Sequence, residues 1–411
     1  MIAAIVGLGM AWSLYVNGGV TIGHCVLLAM GPVALTAAWG QKSGRLCLCL
    51  LTLWLLTAAA TELVVHDPLG HTVYALCRPI TVALSFCGAM WAFQQRGRVK
   101  NIYVVSLVVG LAGGIAFVPT PGLSADPWKY GFGPVASVAA ALVVATPPLR
   151  DRRWLSALAM LTVALLNLEL GFRSEFLILF VAAVVGLLAS RRGSGPVFRR
   201  CVLLSAALCA LGTVVYVGYG HVADSGRLGA QQEMKWEVQS RVEGGLLLGA
   251  RPEFIASTAV IEDSPLVGRG VAPQVSVQTR SAFLDRMQAI GVTVHEGITR
   301  YYFGRGMFLH SVLFQVWAET GVLALPGLLF PVGLVLWALA AAVRSGSGSP
   351  ALIFSLLAGQ LGWDLLFSPW PRLEGVYLGT AAAAAVVYLA SQRQSGTVPP
   401  SAQRIPSKVN V

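Results

Sequence analysis

The chain has 411 residues, of which 56% are hydrophobic and 11% charged, and its net charge is +11. The apolar residues come in repeated blocks of roughly 17 to 24, the length that crosses a hydrocarbon core of ~30 Å. This pattern excludes a soluble globular domain and predicts an all-α polytopic integral membrane protein. All seven cysteines lie within or beside apolar blocks, which argues against a disulfide framework and a zinc site.

Hydropathy predicts about 12 transmembrane helices. The first block lacks a basic leader and a clear cleavage site, so it is expected to remain as a span. The predicted spans cover residues 1–16, 20–39, 45–65, 72–93, 101–119, 131–147, 154–170, 173–190, 201–219, 309–343, 351–368 and 373–391. The predicted organisation is N-terminal helices over 1–147, helices carrying an arginine motif over 148–219, a long outer loop over 220–308, C-terminal helices over 309–391 and a disordered tail over 392–411.

The basic residues indicate the orientation. Loops and tail on one side of the predicted spans hold 16 lysines and arginines against one acid, Asp151. By the positive-inside rule this side is cytoplasmic, and both termini are expected there. The outer loop over 220–308 is balanced, with nine basic and nine acidic residues. The net charge therefore reports topology and gives no indication of nucleic-acid binding.

The outer loop, about 89 residues long, is too long to be structureless between two helices. Residues 231–248 and 251–261 are predicted to be helical, and the second helix ends before the break at Asp263, Ser264 and Pro265. We therefore expect a partly helical extracytoplasmic cap.

A histidine stands where this loop meets the next apolar block, in the pattern His310-Ser311-x9-Gly321. At helical spacing His310 shares a stripe with Leu313, Phe314, Trp317 and Gly321, which predicts an imidazole at the mouth of a helix. A lone histidine near a membrane surface is commonly an interfacial hydrogen-bonding residue. Its position alone therefore leaves both a packing and a catalytic role open.

Arg173 begins a predicted span about two residues after the preceding span ends. A charge this close to hydrocarbon usually faces an aqueous cavity or an ionic partner. Two interpretations are open: a snorkelling arginine paired with Glu169 or Glu175, or an anion clamp at a helix N-terminus.

Further arginines lie elsewhere on the predicted outer side. Arg251 precedes a predicted helix, and Arg269 lies between two glycines that would let a ligand approach the backbone. Arg78, beside Pro79 in the fourth span, is either another ligand or a snorkelling residue. The sequence has no Asp-x-Asp pair, no phosphate-binding Gly-Lys-Ser/Thr motif and no Gly-x-Ser-x-Gly motif. Nucleotide-driven and serine-hydrolase chemistry are therefore disfavoured.

Three motifs in this order resemble the O-antigen ligase family, which shares a domain with O-antigen polymerases and pilin O-oligosaccharyltransferases. They are Arg173-x3-Leu177 at an outer helix end, residues 265–270 (Pro-Leu-Val-Gly-Arg-Gly) in the long loop, and His310-Ser311-x9-Gly321 at the next span. The family patterns are Arg-x3-Leu and His-[Asn/Ser/Gln]-x9-Gly-x-x-[Gly/Thr/Tyr], and this sequence departs from the second at Ala324. The resemblance covers roughly residues 150–330 and the span count.

The resemblance implies a GT-C-type glycosyltransferase of the bacterial inner membrane, with its active site facing the periplasm. It would transfer a glycan from undecaprenyl diphosphate to lipid A-core or another acceptor hydroxyl. His310 would be the general base, while Arg173 and Arg251 would stabilise the diphosphate leaving group without a metal or other cofactor. The residues expected to contact substrate are Arg269, Arg78, Glu319, Trp317 and Ser311. The expected partners are the donor, the acceptor and membrane lipid but not nucleic acid, and the protein is expected to be a monomer.

Two alternatives remain open. A polymerase that extends the glycan on its own lipid carrier needs the same donor site, so the motifs do not separate it cleanly from a ligase. A transporter or flippase of the lipid-linked glycan would place charges along a path at bilayer depth. Here the spans carry few central charges and the candidate residues gather at the outer boundary, which favours an enzyme.

Overall fold

The computed structural model describes most of the helical part of the chain. The described residues are 1–12, 14, 19–66, 68–95, 98–117, 126–150, 152–189, 213, 217–218, 220–222, 225–227, 233, 236–237, 253–271, 275–292, 300, 302–303, 309–370 and 373–396. The structure is 84% helical and has no strands in this part of the chain. The predicted all-α class is therefore confirmed.

The helices occur in this order along the chain. They are α1 (Ile2–Gly9), α2 (Ile22–Ala29), α3 (Gly31–Trp39), α4 (Lys42–Val65), α5 (Leu69–Gln94), α6 (Val99–Phe117), a π-helical turn (Trp128–Phe132) leading into α7 (Gly133–Ala145), a short turn (Pro147–Arg150), α8 (Arg153–Glu169), α9 (Arg173–Ala189), α10 (Glu253–Asp263), α11 (Val277–Ala289), α12 (Val312–Thr320), a 3-10 turn (Val322–Ala324) leading into α13 (Leu325–Arg344), α14 (Gly348–Phe367) and α15 (Glu374–Gly396).

Seven helical segments in the described residues are long and apolar enough to cross a membrane, or eight if the bent pair α2–α3 counts as one span. The helices α8 and α9 have 17 residues each, at the lower end of the ~17–25 residues that span a bilayer. The chain is a multi-pass membrane protein, while the predicted total of 12 spans is unconfirmed. The predicted span over 201–219 and the predicted helix over 231–248 lie largely outside the described residues.

The first two predicted spans are not regular helices. α1 ends at Gly9, and the chain turns back on itself, with the Ile22 amide donating to the Trp12 carbonyl at 2.9 Å. The predicted helix over 20–39 breaks after Ala29, where α2 and α3 bend by 84°. Pro32 lies in the first turn of α3, and since proline has no N–H it is favoured where a new helix begins.

Helix α14 positions the start of α9, because α9 packs against it along its length. A Cβ on Gly359 would lie 3.0 Å from the side chain of Ile178, and one on Gly186 would lie 2.8 Å from that of Leu352. These two contacts show that α9 and α14 run antiparallel. The N-terminus of α9, which begins at Arg173, therefore lies beside the C-terminal end of α14.

The long loop returns to the membrane helices through residues 265–270, which we call the strap. The strap crosses the C-terminal end of α12 and is held by backbone hydrogen bonds: the Arg269 amide donates to Ala318 (2.8 Å) and the Gly270 amide to Glu319 (2.9 Å). In return, the Val322 amide donates to Pro265 at 3.0 Å. The loop is thus fixed to the helix that follows His310.

Two glycines allow the backbone of the strap to lie against the backbone at the end of α12. Gly268 and Gly321 have φ values of +83° and +79°, in the left-handed region where a side chain is strained. A Cβ on Gly321 would collide with the carbonyl oxygen of Leu266, and one on Gly268 with the carbonyl of Glu319. The glycine that closes the His310 motif is therefore required by backbone packing.

We expect Gly321→Ala to destabilise the protein by at least about 1 kcal/mol, because a side chain at positive φ costs ~1–2 kcal/mol before any collision. The measurement is thermal unfolding of purified protein in detergent. Gly333→Ala in α13 is the matched control, since a Cβ there meets nothing within 4 Å and alanine favours a helix. Equal unfolding temperatures for Gly321→Ala and wild type would contradict the close packing of the strap.

Candidate active site

His310 lies just before α12, and its backbone is left-handed, with φ +46°. The helix begins at Val312, where the Ser311 hydroxyl caps it by accepting from the Phe314 amide at 3.2 Å. The prediction that His310 shares a helical stripe is therefore wrong. A non-glycine residue at positive φ costs ~1–3 kcal/mol and persists where its surroundings hold it, often at functional sites.

The imidazole of His310 faces a carboxylate from the long loop. Its Nδ1 lies 3.5 Å from Oε1 of Glu253, and the two side chains are 20% and 5% exposed. The other carboxylate oxygen of Glu253 accepts a hydrogen bond from the Tyr302 hydroxyl at 3.1 Å. Catalytic hydrogen bonds are often long before substrate binds, so this spacing fits a histidine–carboxylate dyad. With Nδ1 directed at Glu253, Nε2 lies on the far side of the ring.

Apolar packing sets Glu253 in this position. Glu253 is the first residue of α10, and the next residue, Phe254, packs edge-to-face on Phe314 of α12 with 4.6 Å between ring centroids. The ring of Tyr302 packs on Phe283 of α11 at 5.2 Å. The predicted helix over 251–261 is thus confirmed as Glu253–Asp263, and it carries the partner of His310.

A second contact fastens α11 to α10. Arg286 pairs with Glu262 at 2.6 Å, and its guanidinium holds the pKa of this carboxylate below its usual value. The charged form is therefore favoured in the folded state, and the pair weakens as the pH falls through the pKa of Glu262. Both side chains are partly or largely exposed, so the pair contributes little to stability.

The structure brings Arg173 to the same end of α14 as His310. Extending the register of α9 and α14 by five residues from Ile178 and Gly359 places Arg173 level with Asp364, next to Leu365. The Ser311 hydroxyl donates to the Leu365 carbonyl at 2.8 Å. The arginine motif and the histidine motif therefore both lie near the C-terminal end of α14, although they are far apart in the sequence.

Three buried acids lie at this end, and sequence reasoning considered only Glu175, as a partner of Arg173, and missed the other two. Glu175, Asp364 and Glu374 are only 2%, 6% and 4% exposed, and both glutamates interact electrostatically with Asp364. Gln360 donates to Asp364 at 2.9 Å. The available signal was ionisable residues inside apolar helices, which usually mark functional sites. Glu253 was missed as well, although it lies two residues after Arg251.

Two predicted substrate ligands are buried against each other. Arg78 and Glu319 form an ion pair with side chains 2% and 1% exposed, and Gln315 donates to Glu319 at 3.0 Å. The guanidinium also lies over the rings of Tyr74, at 4.5 Å, and Trp370, at 5.4 Å. This geometry favours a structural role, in which the pair ties α12 to α5, over contact with substrate.

The other predicted substrate ligands make local contacts. Ser311 is 1% exposed and serves as the helix cap. Trp317 donates its indole N–H to the Pro265 carbonyl at 2.9 Å, and Arg269 pairs with Asp263 at 2.6 Å. Trp317 therefore holds the strap to α12, and the side chain of Arg269 ties the strap to the end of α10. Arg251, predicted to bind the diphosphate, lies outside the described residues.

No known sequence family matches the chain, and no curated protein is similar to it.

The buried pair Arg78–Glu319 leads to a stability prediction. We expect Arg78→Met or Glu319→Gln alone to cost ~3–5 kcal/mol, because each leaves a charge buried without its counter-ion. The double variant should recover part of this loss. Thermal unfolding of the two single variants and the double variant measures the coupling.

Glu262→Gln, which removes the exposed partner of Arg286, is the control and should shift unfolding much less. Additive losses in the double variant would show that Arg78 and Glu319 do not stabilise each other.

Proposed function

We propose that this protein is an O-antigen ligase-like glycosyltransferase. It moves a glycan from undecaprenyl diphosphate to a lipid A-core or other acceptor hydroxyl on the periplasmic side of a bacterial inner membrane. The observation that carries the proposal is the paired imidazole: His310, in a left-handed backbone, faces the buried Glu253 carboxylate at the outer end of α14. The motif resemblance over roughly residues 150–330 supports the same class of reaction.

The reaction needs a base that removes the proton of the acceptor hydroxyl. Nε2 of His310 accepts the acceptor hydroxyl proton while the hydroxyl oxygen forms a new bond to the anomeric carbon. The anomeric carbon–oxygen bond to the diphosphate breaks, and the diphosphate leaves with the electron pair. Glu253, 3.5 Å from Nδ1, stabilises the imidazolium that forms. A single displacement of this kind inverts the anomeric centre.

The leaving group determines what else the site must supply. Negative charge grows on the diphosphate as its bond to the sugar breaks, so fixed guanidinium groups lower the barrier. Arg173, at the start of α9 and level with Asp364, has the position for this role. Arg251, two residues before the carboxylate that faces His310, is the second candidate. With two arginines in this role, the transfer is metal-independent.

The lipid carrier explains where these groups lie. Its diphosphate sits at the membrane boundary, because the isoprenoid stays in the bilayer. The dyad and Arg173 lie towards the C-terminal end of α14, which is on the predicted periplasmic side. A covalent-transfer site at this depth fits an enzyme better than a transport path through the bilayer centre.

We expect His310→Ala to lower transfer by ~10²–10⁴-fold, the usual contribution of a general base. The assay contains purified protein in liposomes, undecaprenyl-diphosphate glycan and lipid A-core in EDTA, and it measures glycan attached to the core. His66→Ala is the matched control, since His66 also has a left-handed backbone, with φ +59°, and is exposed. Near-normal transfer by His310→Ala would refute the base assignment, and a ladder of glycans on the carrier would identify a polymerase instead.

Glu253→Gln should keep the fold and lower the rate by about one to two orders of magnitude, less than loss of the base itself. Because the imidazolium loses its carboxylate, the pKa of His310 should fall, and the rising limb of the pH–rate profile should move to lower pH. The measurement is the rate of transfer against pH with saturating donor. An unchanged profile in a well-folded variant would show that Glu253 does not act on His310.

A further inference from the structure

A polar cavity of about 810 Å³ lies at the opposite end of α14 from His310. It is lined by the start of α8, by the turn before α14 and by Gly186 of α9. The Ser349 hydroxyl donates to the Arg150 carbonyl at 3.0 Å and joins two of its walls. The excess of basic residues predicts that this is the cytoplasmic side.

The cavity is strongly basic. Arg150, Arg152 and Arg153 all line it, and all three are exposed. No acidic residue occurs among the described residues of its lining. Three guanidiniums around one recess attract an anion that presents several oxygens, since guanidinium binds phosphate oxygens bidentately.

The rim of the cavity is apolar on the side of α8. Trp154 is 65% exposed, Leu155 41% and Leu158 60%, and Trp154 and Leu155 also line the cavity. Tryptophan is enriched where a membrane meets water, and exposed leucines on a spanning helix face lipid. The basic recess therefore continues into an apolar surface suited to acyl chains. A soluble anion would leave this surface uncovered.

We propose that this cavity binds the headgroup of an anionic phospholipid from the cytoplasmic leaflet. The three arginines hold its phosphate, and its acyl chains lie along Trp154, Leu155 and Leu158. Basic pockets between transmembrane helices on this side of a membrane are suited to such headgroups. The site is independent of the proposed glycosyl transfer, because it lies at the other end of the helix bundle.

Arginines on the cytoplasmic side also orient a membrane protein without binding any particular lipid. The decisive comparison is therefore between two triple variants that remove the same charge. Arg150→Gln, Arg152→Gln and Arg153→Gln empty the cavity of its cations. Lys42→Gln, Arg45→Gln and Arg98→Gln remove three exposed cations from the same predicted side, outside the described lining.

The experiment is native mass spectrometry of the full-length protein in detergent, titrated with phosphatidylglycerol or phosphatidylcholine. We expect wild type and the control triple to retain phosphatidylglycerol, and the cavity triple to lose roughly a hundredfold in affinity, at about fivefold per arginine. Phosphatidylcholine should bind weakly to all three. Equal losses in both triples, or equal binding of the two lipids, would overturn the proposal.

Full displacement of phosphatidylglycerol by equimolar glycerol 3-phosphate would also overturn it, because the ligand would then be a soluble phosphate. If the cavity triple variant fails to insert in the membrane, the same titration is made with two single variants, Arg153→Gln in the cavity and Arg98→Gln as its control. A fivefold loss confined to Arg153→Gln supports the site, and equal affinities contradict it.

Discussion

The approach of the strap to α12 is the constraint on which the rest of the site depends. Gly268 and Gly321 let two backbones touch where any side chain would collide, and three backbone hydrogen bonds then join the loop to the helix. Because α10 leads directly into the strap, this docking brings Glu253 against His310. The pair of His310 and Glu253 is therefore made from two parts of the chain that lie 57 residues apart.

Buried polar groups inside the protein support this arrangement, although each would be costly in hydrocarbon without a partner. The pair Arg78–Glu319 ties α12 to α5, and Gln315 links Glu319 to the backbone amide of Trp370 at 3.0 Å. These side chains pair with one another, which lowers the cost of burying charge. The result is a short helix held firmly at its C-terminal end, with His310 presented at the other.

Much of the fold follows from composition. Apolar blocks and the distribution of basic residues predict a multi-pass helical protein with a long outer loop, and the break at Asp263 to Pro265 is correctly located. Hydropathy cannot count the spans reliably, because α1 has 8 residues, α8 and α9 have 17, and the α2–α3 pair is bent. The proline and glycine at that bend were visible in the sequence, but they occur inside an apolar block and so did not interrupt it.

The site was predictable only in part. The His310 motif and Arg173 could be picked out because an ionisable residue this close to an apolar block usually faces a cavity or an ionic partner. Their partners could not, since the contact of Glu253 with His310 depends on how the loop folds back, and one sequence carries no record of that pairing. The same limit explains why Arg78 and Glu319 were predicted as substrate ligands, whereas they are buried against each other.

The most direct test of the proposed glycosyl transfer is a cryo-EM structure of the protein with bound undecaprenyl-diphosphate glycan. We expect the diphosphate at the C-terminal end of α14, in contact with Arg173, with the anomeric carbon on the Nε2 side of His310. We also expect His310 and Glu253 to close to hydrogen-bond distance, ~2.6–3.2 Å. A diphosphate bound away from Arg173, or a His310 ring turned from the sugar, would contradict it.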